Sequence, residues 1–136
     1  MELSKLIVPS TTATIEYPGF PGFEVKLAYL TRDELLKLRK KATNQVFNRS
    51  SRKMEEEVDN DIFQTIYIQA ILKGWNGLKF KYLKKLLPID DTKIKDLDEC
   101  LEFSLDNAEF LMKNCTQFDN WVSAMLEDVE NFSRSK

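Results

Sequence analysis

The chain of 136 residues contains no histidine. That removes the commonest general base, the commonest metal ligand and the usual partner of a nucleophilic Ser or Cys. The two cysteines, Cys100 and Cys115, form no CxxC pair and have no His to complete a zinc site. They read as a reduced pair of small core residues, with a disulfide between them left geometrically open. Four glycines are too few and too scattered for a phosphate loop or a dinucleotide fingerprint. No apolar run is long enough to span a bilayer, and Leu6-Ile7-Val8 is too short for the apolar region of a signal peptide. The expectation is a cytosolic protein with no membrane contact, no cofactor and no metal, acting by binding or as a structural part and not as an enzyme.

What is present is a composition that can bury a core, 43% apolar and 31% charged, at a length suited to one domain over 1–136. The net charge of -2 conceals an asymmetry: residues 1–88 carry 15 basic and 10 acidic side chains, residues 89–136 carry 5 and 12. The two parts can attract each other within the fold or head to tail between copies.

The first thirty residues pattern as β-structure. Ile15 and Tyr17 alternate with polar neighbours, and Phe23, Val25, Leu27 and Tyr29 share one face of FEVKLAY. Between them, Pro18-Gly19-Phe20 and Pro21-Gly22-Phe23 suit tight turns, because Pro presets φ at a turn's second residue and Gly accepts a positive φ at its third. A hairpin follows, with Leu6-Ile7-Val8 as a candidate short edge strand. Phe20, at its tip, is either a docking residue or an aromatic folded over the sheet.

Helix begins at Thr31, whose hydroxyl and Glu34 suit a reciprocal cap, and Leu35, Leu38, Ala42 and Val46 continue one apolar stripe. Phe47 to Val58 is polar and aperiodic and reads as a mobile loop. A second helix from Asp59 or Asp61 runs through IFQTIYIQAILKG to a left-handed cap at Gly74, before a Trp75-Asn76-Gly77-Leu78 turn. KFKYLKKLLP suits a short basic helix ending before Pro88. Ile94, Leu97 and Leu101 fit two to three helical turns, Ser104 caps another helix, and Thr116 caps the last. Phe118, Trp121, Val122, Met125, Val129 and Phe132 then form a clean stripe, and residues 133–136 read as a frayed tail.

Little here carries chemistry. Asp59-Asn60-Asp61 opens like a calcium loop, but Gln64 and Ala70 replace the required Gly and Glu, so helix capping explains it. Seven basic residues and no acid lie between Lys37 and Lys53, which suits phosphate contacts. Glu55 to Glu57 follow at once and Phe47 is the single aromatic, which argues against nucleic acid. The apolar C-terminal stripe suits either core or a groove for a partner helix.

Three stretches resemble the tail assembly chaperones of long-tailed bacteriophages: Pro21 to Thr43; Trp75-Asn76-Gly77-Leu78 after an apolar helix; and the helical pair carrying Ser104 to Ala108, Phe118 to Val122 and Asp128 to Phe132. Lys79 to Phe103 departs from that pattern by its length and charge. The resemblance implies a non-enzymatic protein of the host cytoplasm, absent from the mature virion. It would bind the long helical tape measure protein, keep it soluble and help recruit tail tube protein around it. In many relatives a frameshifted longer form engages the tube. The client-contact residues it suggests are Trp75, Phe118, Trp121, Met125 and Phe132, then Phe20 and the loop around Arg49 and Arg52. Self-association would follow from the charge asymmetry. The alternatives are a small nucleic-acid-binding regulator using residues 37–53 and a structural tail or head–tail subunit. The expected fold is α+β, mainly α: an N-terminal β-hairpin (1–30) packed against a bundle of about four or five helices (31–132).

Overall fold

The computed structural model describes residues 2–6, 11–128 and 130–133. After a short 3₁₀ turn at Leu3–Lys5, the hairpin of β1 (Thr11–Glu16) and β2 (Glu24–Tyr29) pairs Ile15 with Val25 and Ala13 with Leu27. Its connection is two successive β-turns: Phe20 N–H donates to Tyr17 O at 3.3 Å and Phe23 N–H to Phe20 O at 3.0 Å. Gly19 and Gly22 hold φ of 85° and 86° at the third position of each, which the doubled Pro-Gly predicts.

The expected single hairpin on a helical bundle is not what the chain forms. Among the described residues five strands are spread along the chain in two antiparallel sheets, one ordered β1-β2-β5 and the other β3-β4. The first departure comes after α1 (Arg32–Lys41), which Thr31 caps by accepting from Glu34 N–H at 3.2 Å. The helical stripe stops at Ala42, and β3 (Thr43–Asn48) turns back into β4 (Lys53–Val58) where a mobile loop was expected. Asn48 builds that reversal: its Oδ1 accepts from Ser50 and Ser51 N–H, its amide reaches Glu55 at 2.9 Å, and its carbonyl accepts from Arg52 N–H at 2.8 Å. Short polar side chains that bond nearby backbone compete with helix in this way.

The second departure follows α2 (Asn60–Ile71), capped by Asp59, which accepts from Asp61 and Ile62 N–H. Leu72 is already extended, and β5 (Leu72–Asn76) lies against β2 with Trp75 opposite Val25 and Leu72 opposite Leu27. Gly74 is therefore not a left-handed cap; it lies beside a register shift in the ladder, and the left-handed residue is Gly77 at φ 74°. Burying Leu72 and Trp75 on the sheet outweighs two more residues of helix.

α3 (Phe80–Leu86) ends before Pro88, as its spacing predicts. The helix expected from Ile94, Leu97 and Leu101 is absent. After a 3₁₀ turn at Asp91–Lys93 the chain runs as an irregular strap, because Asp90 and Asp96 accept from Thr92 and Asp98 N–H and fix local turns. The strap is tied back by Leu101 N–H to Leu78 O (2.8 Å), Phe80 N–H to Glu99 O (2.9 Å) and Lys81 N–H to Leu97 O (3.0 Å). α4 (Leu105–Asn114) starts at a Ser104 cap. Cys115, not Thr116, caps α5 (Thr116–Glu127), its Sγ accepting from Phe118 N–H at 3.4 Å. The last stripe breaks at Asp128, and α6 (Glu130–Ser133) is a separate turn of helix. Ile7 and Val8 of the expected edge strand, Val129 of the expected C-terminal stripe, and residues 134–136 of the expected tail lie outside the described residues; Leu6 ends the first 3₁₀ turn.

The core gathers around the three-stranded sheet: Phe23, Val25 and Leu27 from the hairpin region, Ile71, Leu72 and Leu78 from the centre, Leu111, Phe118 and Val122 from α4 and α5.

Candidate functional site

Six of the eight residues singled out in the sequence go into this core. Phe118 is fully buried, and Trp75, Phe132 and Phe20 are buried with it, while Trp121 and Met125 are half-buried against the same cluster. Tyr17 lies at its centre, 5.0 Å from the Phe20 ring, 6.0 Å from Phe118 and 4.8 Å from Trp121. Phe20 folds over the sheet and stacks on Tyr82 at 4.9 Å, whose hydroxyl donates to Pro21 O at 2.8 Å. The Trp75 indole N–H donates to Leu101 O at 2.9 Å and its ring meets Phe103 edge-on, so it anchors the strap. Phe132 packs on Tyr29 at 5.6 Å.

Arg49 and Arg52 are elsewhere, on the exposed tip of the β3-β4 arm. Arg52 holds a φ of 55°, the one non-glycine residue in the left-handed region among those described. Such strain concentrates at functional loops.

The arm also carries what the sequence reading missed. Phe47 and Met54 are directly opposite on its two strands and are 55% and 58% exposed, with Val46 exposed on the other face. Paired residues share a face, so Phe47, Met54, Gln45, Glu56, Thr43 and Val58 form one side of the ribbon. That side continues toward α1 in a groove of about 500 Å³ lined by Leu36, Arg39 and Lys40. The opposite side meets the start of α2 in a groove of about 460 Å³ lined by Val46, Glu57, Asp59 and Asp61. One side of the arm therefore ends in basic groups and the other in acidic ones. A third cleft, about 290 Å³, opens between Leu30, Leu35, Tyr67 and Leu126, where burial and then the Asp119 charge push the Tyr67 hydroxyl above its ordinary range. The signal for the arm was the Asn48-Arg49-Ser50-Ser51 turn chemistry, which alternation alone does not reveal.

The charge asymmetry is partly spent inside the molecule. Lys81 pairs with Asp98 at 3.1 Å and Lys84 with Asp91 at 2.9 Å, fastening the acidic strap to basic α3. The partner lysine in each case holds the carboxyl below the usual range, and Lys113 with Thr65 does the same for Glu109. On the arm, register places Glu55, Glu56 and Glu57 opposite Val46, Gln45 and Asn44, between the basic end of α1 and the basic tip. That interrupts the positive surface a nucleic-acid backbone requires. Among the described residues no three His, Cys, Asp or Glu side chains gather as a metal cage, and no helix is long and apolar enough to cross a membrane. Cys100 is exposed, Cys115 is buried, and both are free thiols.

No protein-family model, curated protein or solved structure matches this chain.

Proposed function

We propose that the protein is a phage tail assembly chaperone: a non-enzymatic binder that holds the tape measure protein soluble in the host cytoplasm and presents it to tail tube subunits. The carrying observation is the apolar surface left unburied between residues 35 and 62, where Leu35, Leu36, Val46, Phe47, Met54 and Ile62 are all exposed. A long client helix has apolar stripes that need such cover, and Phe and Met suit it because they adapt to varied partners. The contact surface in this reading centres on Phe47, Met54 and the Leu36 groove, flanked by Arg49 and Arg52, while the C-terminal aromatics hold the platform rigid. Several copies along one client give avidity from individually weak contacts.

The test is co-expression with the tape measure protein encoded nearby in the source genome, followed by a tagged pull-down. A soluble complex is expected with the native chain, and loss of client solubility with the double variant Phe47→Ser/Met54→Ser at unchanged chaperone folding. A client that is equally insoluble with and without the native chain, in the presence of any frameshifted longer form, overturns the reading.

A further inference from the structure

We propose that the free edge of β3 pairs antiparallel with β3 of a second copy, joining two arms into one four-stranded sheet. The argument is independent of the client and begins with the arm's isolation. Among the described residues β3 and β4 form a sheet of their own, and each has one side unpaired. A lone two-stranded ribbon is marginal in water, and an open edge is a template for another strand.

The two edges are unlike in charge. β4 reads Lys53-Met54-Glu55-Glu56-Glu57-Val58, whereas β3 reads Thr43-Asn44-Gln45-Val46-Phe47-Asn48 and carries no charge. Edge charge is the ordinary protection against strand addition, and β3 lacks it while residues 44–47 are all exposed. Pairing β4 with β4 would set two glutamate runs together, and pairing β3 with β4 of a second copy is heterologous and leaves a β3 edge and a β4 edge still open. Pairing β3 with β3 brings only neutral side chains together.

Symmetry then fixes the register. Side chains alternate faces, so a two-fold axis normal to the sheet passes through a residue and not between two. Centred on Val46, the pairing sets Val46 opposite Val46, Gln45 opposite Phe47 and Asn44 opposite Asn48. It also leaves Thr43, two residues after the end of α1, outside the paired span. The Phe47–Met54 pairs of both copies then lie on one face, doubling the exposed apolar strip.

The test is light scattering of the native chain and of V46K, V46E and their equimolar mixture, at chain concentrations up to the order of 100 μM. A dimer is expected for the native chain. Each single variant brings like charges together on the axis and is expected to weaken the dimer by about tenfold or more, while the mixture restores it as a Lys–Glu heterodimer. Circular dichroism melting checks that each variant stays folded; if either does not, Q45P, which removes a backbone donor from the exposed strand, replaces it and is expected to abolish the dimer. A native monomer throughout, a dimer indifferent to V46K, or assemblies that keep growing beyond the dimer each overturn the proposal.

Discussion

Gly77 stands against Gly22 so closely that a Cβ on Gly77 would collide with the Gly22 carbonyl group. Both residues hold left-handed backbone, at φ 74° and 86°, and their contact locks the turn after β5 onto the second turn of the N-terminal hairpin. An alanine at Gly77 would add the left-handed penalty to a backbone clash that no side chain can relieve, so Gly77→Ala is expected to cost about 2–4 kcal/mol. Gly19 is the control. It has the same sign of φ, 85°, but open space around it, so Gly19→Ala should cost about 1 kcal/mol. Urea unfolding of the two variants measures the difference; equal losses would show that the close approach contributes nothing.

Phe118 and Phe47 separate stability from binding. Phe118 is fully buried among Tyr17, Phe23 and Trp121, so Phe118→Ala is expected to cost about 3–5 kcal/mol, and Trp121→Ala, half-buried in the same cluster, to follow it toward the lower end. Phe47→Ala removes a ring that faces solvent and should change unfolding free energy by about 0.5 kcal/mol or less while weakening client capture. If Phe47→Ala unfolds the protein, the arm is packed against something and is not a docking surface.

Arg52 occupies a position that glycine would fill without strain. Arg52→Gly is expected to stabilise the arm by about 0.5–1 kcal/mol, the relieved strain being partly offset by glycine's greater freedom when unfolded. Amide hydrogen exchange of β3 and β4 reads this locally, with slower exchange expected in the variant. Faster exchange would mean that the Arg52 side chain, and not the turn geometry, holds the strands together.

Much of the framework was legible because its signals are local. The paired Pro-Gly turns, the Thr31 cap with Glu34 and the Ser104 cap are each written within four or five residues. Two of the misread regions, β3-β4 and β5, depend on competition. The α1 stripe continues on paper to Val46, yet Thr43 turns its hydroxyl to Arg39 O at 2.8 Å and Asp59 N–H closes on Ala42 O, so the helix ends and a ribbon begins. Leu72 and Lys73 fit the helix periodicity and Trp75-Asn76 fits a turn, yet the open edge of β2, a partner distant in sequence, takes all of Leu72 to Asn76. The candidate surface was hidden for the same reason: Phe47 and Met54 become neighbours only once the register pairs them.

The two thiols should differ sharply in reactivity. Cys100 is exposed in the strap, whereas Cys115 is buried with its sulfur accepting from Phe118 N–H. In the native state a chromogenic disulfide reagent is expected to titrate one thiol quickly, and the second only at the rate of unfolding. Two fast thiols would mean that the start of α5 opens readily, and no fast thiol would mean that the strap covers Cys100.

Stability should fall toward acid through three carboxyls. Lysine hydrogen bonds hold Asp91, Asp98 and Glu109 below their ordinary range in the folded chain. A depressed folded pKa stabilises fully above the unfolded value and is lost as pH drops through the folded one, because the unfolded chain takes up its proton first. Lys81 is shifted the opposite way, upward by Asp98, so its contribution is full below its ordinary range and is lost as pH rises through the raised value. The pairs are solvent-exposed, and salt should flatten both arms of the profile. Thermal melts between about pH 5 and about pH 3 at low salt test this on the double variant Lys81→Met/Lys84→Met, which is expected to lose less Tm than the native chain over that interval. Identical losses would show that the strap is held to α3 by its backbone hydrogen bonds and by Trp75 alone, with the ion pairs idle.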